Sequence, residues 1–469
     1  MALVALYTMA CGPAPQRYDV PPMSGGIQVN EPDHDVWAQA LRRAQLDAVQ
    51  VTLYARQLAW DSPEIILPDD PGVVIAEIRA AKRAGLRVTL VLRIALEQAL
   101  ERNRHYWHGM IWPHDKDVDA WFAAYREFAL QGAALAAAER IDLLAVGSEL
   151  NSLTSTIPIE ATPSLYAYFL DPQRTGPVRD RLVHCGASIP TEQMAPDLRF
   201  PDGGAYATLE QYLRAQEAAD RSWTQHITGA SSAAAVDLAA LNRRRAHYEE
   251  NWRSLITAVR GVYRGPLSYA ANFDQVQEVG FWDALDAIGV NAYYPLSTWG
   301  LSGERLQTAL SSSWWDIAAR LNELAERHGG AARVLPVIIF ELGWTRKAGS
   351  TVRPFSYHRV EALETAPADA AGSASLTCVH WATQPEDPFE RVEALRALDG
   401  VVQEGGFPTL RGFMLWKLST DLAHRAQEPF VVVLPSEPGP HDGDEADGLF
   451  LEVAARLAGR LRDSAGAAR

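Results

Sequence analysis

Short apolar segments alternate with amphipathic ones along most of this chain, and this alternation limits the fold more than any other feature. The apolar segments have the length and the Val, Ile and Leu content of strands that are buried on both faces. Eight strands are predicted, at 26–30, 48–54, 87–94, 143–147, 266–271, 288–293, 334–341 and 412–417. Helices are predicted where apolar residues recur three and four positions apart, most clearly at 36–48, 73–86, 118–140 and 445–463. Eight strand–helix units predict an α/β fold, a (β/α)8 TIM barrel rather than a doubly wound sheet.

Two connections of the predicted barrel are oversized. The segment 152–237 follows the fourth strand, and a shorter insertion at about 347–385 follows the seventh. Structureless loops of such length are uncommon and usually functional. Loops that follow barrel strands lie on the active-site face, so we expect 152–237 to form a lid-like segment over the cleft. The predicted organisation is a leader at 1–24 and a single catalytic barrel at 25–469.

The amino-terminal residues resemble the end of a bacterial lipoprotein signal. A short apolar segment ends in Ala10, Cys11 and Gly12, and a proline-rich stretch follows. On this interpretation Cys11 is lipidated and attaches an extracytoplasmic protein to a membrane surface. The alternative is an unstructured leader or a first strand, and then a cytoplasmic protein. With Cys185 and Cys378 the chain has three cysteines, enough for at most one disulfide and without metal-ligand spacing.

Composition favours a neutral partner. The formal charge of −15 gives no electrostatic footprint for nucleic acid, so no nucleic-acid partner is expected. Fourteen tryptophans and fifteen tyrosines supply many flat apolar faces. Most of them belong in the core, but such a stock also suits stacking on the rings of a poly- or oligosaccharide.

Glu149 and Glu341 each end a predicted buried strand, in the segments AVGSELN and VIIFELGW. Burying an unpaired carboxylate is costly, so these positions are poorly suited to packing. They are well suited to catalysis, because the active site of a parallel barrel forms at the carboxyl ends of its strands. Either residue alone fits a solvated strand end. Together they supply the acid/base and the nucleophile that a glycosidase needs.

Further polar and aromatic residues at the predicted strand ends would complete a sugar site. They are Arg56, Arg93, Asn272, Asn291, Tyr293, Trp344, Trp416 and Lys417. Each alone also fits a rim hydrogen bond or a packed ring, and their concentration at one end of the barrel indicates binding. No predicted strand ends in histidine, which disfavours a metal-dependent hydrolase, and no metal or cofactor is predicted. The acidic segment 441–448 is similar to a calcium loop, but Ala446 interrupts the ligand pattern and a solvated helix start is favoured.

Five segments, in order, resemble glycoside hydrolase family 113. They are AVGSELNSL, GPLSYAANFD, FWDALDAIGVNAYYPL, PVIIFELGW and GFMLWK, and the resemblance extends from about residue 25 to residue 417. It implies a retaining (β/α)8 hydrolase from a family whose characterised members are chiefly β-1,4-mannanases. It further implies that Glu149 is the acid/base and Glu341 the nucleophile. Tyr293 would position the nucleophile, and Trp416 would lie beneath the sugar that is cleaved.

Departures from the family pattern leave the substrate open. Ser148 stands where most of the clan has Asn, although the family itself usually has a small hydroxyl residue there. Arg93 stands where we expect a Lys-Pro-His-like strand end. Exo action and a glucan or xylan substrate therefore remain alternatives. A non-catalytic barrel that binds glycans at a cell surface is another, although such a barrel has no reason to retain both glutamates.

The two carboxyl groups must differ in protonation at one pH. We expect Arg56 to keep Glu341 ionised, because a nearby positive charge favours the carboxylate. We expect Glu149, facing an anionic neighbour in a partly dry cleft, to remain protonated to higher pH.

Overall fold

The structure of the protein is a computed structural model that describes residues 17–159, 182–184, 209–229, 236–330, 333–354, 358–365, 377–426, 428–435 and 444–467. Cys11 lies outside these residues, so its lipidation and the extracytoplasmic location stay predictions. Within them, no helix combines the length and the apolar character needed to cross a membrane.

Eight parallel strands close into a barrel, which confirms the predicted fold class. They are β1 Met23–Gln28, β2 Ala48–Gln57, β3 Arg87–Leu96, β4 Leu143–Ser148, β5 Leu267–Asn272, β6 Ile288–Asn291, β7 Val337–Leu342 and β8 Leu410–Ser419. Each strand pairs with its neighbours in chain order, and β1 pairs with both β2 and β8, which closes the ring. All eight predicted strands are present, with their ends shifted by a few residues.

Helices surround this barrel. The longer ones among the described residues are α1 His34–Arg43, α2 Gly72–Arg83, α3 Val118–Ala138, α4 Leu209–Thr228, α5 Leu238–Val262, α6 Gly303–Gly329, α7 Pro388–Gln403 and α8 Glu445–Ala467, and a single turn, Asn151–Thr154, follows β4. Helix α4 belongs to the insertion after β4. The expectation of eight strand–helix units is wrong between β5 and β6, where only the short 3-10 turns Val276–Glu278 and Trp282–Ala284 occur. The buried side chains of Phe281 and Trp282 occupy that place instead.

The barrel begins earlier than the predicted boundary at residue 25. Strand β1 starts at Met23, and the Tyr18 backbone N–H already donates to Asp286 Oδ1 at 2.9 Å. The start of β1 gives little apolar signal because the strand is rich in small residues. Gly25 is one of them, and a Cβ atom there would lie 1.7 Å from the carbonyl oxygen of Ala48 on β2.

Strand side chains divide between two apolar clusters. A large cluster fills the space between the strands and the helices. A smaller one lies inside the barrel and includes Met23, Val91, Ala145, Phe340 and Met414. Trp416 packs against the inner cluster. The barrel interior is thus filled by apolar side chains below the mouth, and the polar strand-end residues lie above them.

The two insertions meet in a second, three-stranded sheet. Strands His358–Thr365 and Thr377–Thr383, from the insertion after β7, pair antiparallel, and Leu182–His184, from the insertion after β4, pairs with the second of them. Helix α4 contacts the loop after β3, where Trp223 Nε1 donates to the carbonyl oxygen of Met110 at 2.8 Å. The described part of 152–237 therefore lies on the carboxyl-terminal side of the barrel. Its action as a lid stays a prediction.

Candidate active site

An extra residue in β7 turns Glu341 towards the barrel mouth. Ile339 and Glu341 pair with successive residues of β6, so Phe340 is a β-bulge between them. Phe340 packs in the inner cluster and Leu342 in the outer one. With regular alternation Glu341 would point outwards into the helix layer. The bulge changes the direction of its side chain, as bulges beside active sites often do.

A second bulge precedes Glu149. Ala145 and Ser148 of β4 are three positions apart, yet they pair with Ser268 and Ala270, which are two positions apart on β5. Glu149 itself has a left-handed φ of 50°, which is uncommon for a residue other than glycine. Such conformations persist where the surroundings enforce them, and they concentrate at functional sites.

One guanidinium nitrogen joins the two glutamates. Arg93 Nη2 lies 2.6 Å from Glu149 Oε2 and 3.0 Å from Glu341 Oε1. These distances add up to 5.6 Å, which is the upper limit for the separation of the two carboxylate oxygens. All three side chains are 10% exposed or less. The two predicted glutamates and Arg93 thus form one buried cluster.

Each glutamate also has a partner of its own. The Tyr293 hydroxyl donates to Glu341 Oε2 at 2.8 Å. His108 Nε2 lies 3.0 Å from Glu149 Oε2, and burial lowers the pKa of His108 below its ordinary value. His108 was not predicted. The signal that could have indicated it is its segment HYWHGMIW, an aromatic loop that follows β3 at the mouth.

The pKa values of the two carboxyl groups in the cluster are shifted in opposite directions. Burial raises the pKa of Glu149, but Arg93 and His108 outweigh burial and bring that pKa down to about 2. Burial and the negative charge of Glu149 raise the pKa of Glu341 to about 7, against the opposing influence of Arg93 and Tyr293. Arg93 and His108 therefore favour the ionised form of Glu149, and burial favours the protonated form of Glu341, which is the pattern of acid/base sites.

This distribution corrects the expectation that Glu149 is the protonated member of the pair. In the resting site Glu149 is the ionised one, because it has the shorter contact to Arg93 and has His108 as well. Charge partners of this kind depend on where side chains end in space, which the sequence does not specify.

Arg56 does not keep Glu341 ionised, so that expectation is also wrong. Its side chain is 58% exposed and pairs with Glu97 at 3.3 Å. Arg93 is aligned with Tyr54 of β2, and Arg56 lies two residues farther along that strand, towards the rim. The guanidinium of Arg56 therefore projects into solvent, and Arg93 is the cation that contacts Glu341.

Strand β8 contributes Trp416 and Lys417, joined by a cis peptide bond. The Trp416 ring centroid lies 5.8 Å from Arg93 Cζ and 4.3 Å from Lys417 Nζ. Burial lowers the pKa of Lys417, whose Nζ lies 3.9 Å from Glu428 Oε2. The indole thus forms a flat apolar floor directly beside the charged cluster.

Buried polar atoms without partners surround the cluster. Among the described residues, Ser148 Oγ and the side-chain oxygen of Asn291 make no hydrogen bond, although both residues are buried. Asn291 nevertheless lies close enough to Glu149 to help lower its pKa. Native proteins seldom leave such groups unsatisfied, and sugar hydroxyl groups both donate and accept. Asn272 lies at the end of β5, with its Oδ1 accepting from the Phe273 backbone N–H at 2.9 Å.

Trp344 is not placed to bind substrate, which corrects its prediction. Its side chain is 1% exposed and packs in the outer cluster, 6.4 Å from Trp314 of α6 between ring centroids. The preceding Gly343 passes so close to β8 that a Cβ atom would lie 2.0 Å from the carbonyl oxygen of Trp416. After Glu341 the chain therefore turns away from the mouth.

The acidic segment 441–448 has a structural use in its described part. Asp447 is fully buried and accepts hydrogen bonds from Arg346, Arg391 and Arg425 and from the Val433 backbone N–H. These contacts tie the loops after β7 and β8 to the start of α8. Across the part of the chain that the structure describes, no group of three or more His, Cys, Asp or Glu residues could hold a metal ion.

Two carboxyl groups this close at the strand ends of a closed barrel suit the hydrolysis of glycosidic bonds. The sequence model of Glycoside Hydrolase Family 113 matches residues 39–156 and 236–371, which is more than half of the chain. The chain therefore belongs to glycoside hydrolase family 113, and it is a glycoside hydrolase. The unmatched residues between the two ranges fall within the insertion after β4.

Solved structures of the same family share the fold. The β-mannanase AaManA from Alicyclobacillus acidocaldarius, solved in complex with ManMIm, has a TM-score of 0.54 at 16% identity, covering 94% of this chain and 100% of its own. A second structure, a complex of a β-1,4-mannanase of the family, has a TM-score of 0.52 at 16% identity, covering 94% of this chain and 99% of its own. A third structure, of another β-1,4-mannanase of the family, has a TM-score of 0.53 at 17% identity, covering 92% of this chain and 99% of its own. No curated protein matches the chain in sequence.

Proposed function

We propose that this glycoside hydrolase cleaves β-1,4-linked mannan or manno-oligosaccharides with retention of configuration. The observation that carries the mechanism is the nitrogen of Arg93 shared by Glu149 and Glu341, which keeps two of their oxygens within 5.6 Å of each other. Retaining enzymes hold their two carboxyl groups about 5–5.5 Å apart, whereas inverting enzymes need about 6.5–9.5 Å to admit a water molecule. The family's solved β-mannanases support the choice of sugar.

Glu341 is the proposed nucleophile. Its carboxylate is fixed on both oxygens, by Arg93 on Oε1 and by the Tyr293 hydroxyl on Oε2. A carboxylate held in this way presents a lone pair in one direction, which lowers the entropic barrier to attack. The Trp416 indole beside it offers the apolar face on which a sugar ring can stack.

The reaction then has two steps. Glu341 attacks the anomeric carbon while the proton of Glu149 passes to the glycosidic oxygen. The bond between the anomeric carbon and the glycosidic oxygen breaks, and a glycosyl ester of Glu341 forms. In the second step Glu149 takes a proton from water, the water oxygen attacks the same carbon, and Glu341 leaves as a carboxylate. Two inversions give net retention.

Arg93 must move for this reaction to occur. Its Nη2 atom lies between the two carboxylates, where the reacting carbon has to come within about 3–3.5 Å of the nucleophile. We infer that the sugar displaces the guanidinium from Glu149. Arg93 is the strongest influence that lowers the pKa of Glu149, so its displacement leaves burial to raise that pKa. Substrate binding thereby favours transfer of the proton of the pair from Glu341 to Glu149, which leaves Glu341 ionised for the attack.

The experiment uses two variants and a dinitrophenyl manno-oligosaccharide, whose leaving group needs no protonation. Glu341→Ala should form no covalent intermediate, because the nucleophile is absent. Glu149→Ala should accumulate the intermediate, and azide should restore its turnover by attacking in the space that the carboxyl group leaves. Glu139→Ala, which removes an ion pair with Arg79 away from the mouth, serves as the control.

The products and substrates separate the remaining alternatives. Retained anomeric configuration supports double displacement, and an inverted product rules it out. Exchange of the two phenotypes would show that the roles are reversed. A panel of mannan, glucan and xylan oligosaccharides tests the sugar. Binding of oligosaccharides without any hydrolysis by the unmodified protein would favour the glycan-binding barrel instead.

A further inference from the structure

Outside the charged cluster, a separate cavity lies on the same side of the barrel as the active site. Its volume is about 330 Å³, and it lies between the loop after β6, the loop after β7 and the start of α7. The side chains that decide its chemistry are Trp299, Gln384, Asp387 and Glu390. We propose that this cavity is a second sugar-binding site, which holds a neutral carbohydrate unit apart from the one being cleaved.

Trp299 is a rigid aromatic surface at this cavity. Its side chain is 43% exposed, which is high for a residue of this size. A Cβ atom on Gly349 would lie 2.0 Å from the indole, so the ring rests directly against the glycine backbone. Gly349 also has a φ of +76°, a conformation that favours glycine. An indole supported in this way offers an apolar surface of fixed orientation for the C–H face of a pyranose.

Gln384 supplies an unused polar group in the same cavity. The residue is 2% exposed, and among the described residues neither its side-chain nitrogen nor its oxygen makes a hydrogen bond. A buried amide without partners is destabilising, and such groups are rare in native proteins. A vicinal pair of sugar hydroxyl groups can accept from the nitrogen and donate to the oxygen at once.

The loop that carries Gly349 is held in place before any ligand arrives. The Glu390 carboxylate accepts from the Gly349 and Thr351 backbone N–H groups at 2.6 and 2.8 Å and from the Thr351 hydroxyl at 2.6 Å. The Thr351 carbonyl in turn accepts from the Leu296 N–H of the facing loop at 2.7 Å. Preorganisation of this kind reduces the entropic cost of binding.

Charge excludes other ligand classes. The described residues that line the cavity include two acids, Asp387 and Glu390, and neither Lys, Arg nor His. An anionic ligand would be repelled. A metal ion would find only Asp387, because the Glu390 oxygens already accept three hydrogen bonds. A neutral polyhydroxylated ring fits both the aromatic surface and the unpartnered amide.

The test measures binding apart from catalysis, in a Glu341→Gln background that cannot turn over substrate. Calorimetric titration with mannohexaose, cellohexaose and xylohexaose gives the affinity for each. Trp299→Ala and Gln384→Leu should each weaken binding of the preferred hexaose roughly tenfold, and Trp299→Phe should retain most of the affinity. With Glu341 restored, kcat/KM on a dinitrophenyl monosaccharide glycoside should be unchanged in all three variants. Trp315→Ala is the matched control, because Trp315 is 38% exposed on α6 and rests on Gly406 in the same manner.

Unchanged affinity for all three hexaoses in Trp299→Ala and Gln384→Leu would overturn the proposal. So would an equal loss on the small glycoside, since it would show a fault in the fold or in the main cleft. Because Trp299→Phe conserves the ring, it remains informative if the alanine variant does not fold. Only the identity of the sugar rests on the proposed function. Preferred binding of a hexaose other than mannohexaose, still dependent on Trp299, would refute mannan specificity and leave this site intact.

Discussion

Arg93 Nη2 lies 2.6 Å from Glu149 Oε2, and both side chains are about nine-tenths buried. This ion pair holds the proposed acid/base of a glycoside hydrolase in its ionised form. The same nitrogen lies 3.0 Å from Glu341 Oε1, so one guanidinium lowers the pKa of both carboxyl groups. The proposed catalytic pair therefore shares a cation that the family resemblance did not assign to it.

Arg93→Met should move the whole pH profile of kcat/KM upwards. The active form of the pair carries one proton, so the higher pKa of the two groups sets the alkaline limb. That is the pKa of Glu341, already raised to about 7, and it rises further without the cation. Glu149, with the lower pKa, sets the acidic limb, and it loses the influence that lowers its pKa, so the acidic limb shifts in the same direction. We expect a shift of about 1–3 pH units, measured on an activated glycoside.

Arg93→Lys is the conservative partner of that variant. It keeps the positive charge but has a single nitrogen head, so it should restore most of the pH profile and only part of the rate. If Arg93→Met leaves the profile where it was, Arg93 does not control the protonation of the pair.

Tyr293→Phe should slow formation of the glycosyl-enzyme. The hydroxyl donates to Glu341 Oε2 at 2.8 Å, and a hydrogen bond to a charged group contributes about 1.5–3 kcal/mol. We therefore expect a loss of roughly ten- to a hundredfold in kcat for an activated substrate. Pre-steady-state kinetics would measure the step directly. Tyr294→Phe, at the next residue, is the control and should keep most of the activity.

Ser148→Ala should reduce activity without reducing stability. Ser148 Oγ is buried and, among the described residues, makes no hydrogen bond, so its removal breaks none of their hydrogen bonds. If it serves a sugar hydroxyl, kcat/KM falls about tenfold, the effect of one hydrogen bond of about 1.4 kcal/mol. Equilibrium unfolding in urea would check stability. A large loss of stability would indicate that the hydroxyl has a structural role instead.

Asp447→Asn should destabilise the fold. The carboxylate is fully buried among Arg346, Arg391 and Arg425, and its neutralisation removes the carboxylate with which the fully buried Arg391 forms its ion pair. Breaking a buried ion pair in this way costs about 3–5 kcal/mol. Asp35→Asn is the control, because the exposed pair of Asp35 with Arg83 should contribute no more than about 1 kcal/mol. Urea unfolding of both variants gives the comparison, and equal stabilities would contradict the structural role of Asp447.

Much of the architecture follows from local pattern. Eight apolar segments predicted eight strands because a strand buried on both faces needs a continuous apolar run, whatever its neighbours. The positions of Glu149 and Glu341 at two strand ends followed in the same way. The absence of a helix between β5 and β6 could not be predicted in this way. The buried side chains of Phe281 and Trp282 fill the place of that helix, and this packing does not depend on a periodic pattern.

The sequence did not predict the direction in which individual side chains point. Trp344 was predicted at the mouth, but the bulge at Phe340 reverses which side of β7 faces inwards, and Trp344 packs among the helices. A bulge is a difference between two paired strands, so it cannot be found in one strand alone. His108 was missed for a related reason, because it reaches Glu149 from a loop far away in the chain.

The sequence by itself determined the barrel, the two glutamates and the family, since each depends on apolar runs and on short segments with a fixed order. Only the tertiary structure decided the charges at the site. Arg56 and Arg93 are equally cationic in sequence, but Arg56 lies at the rim with Glu97, and Arg93 points into the buried space between the carboxylates. Electrostatic free energies depend on distance and burial, and both of these exist only once the strands have closed.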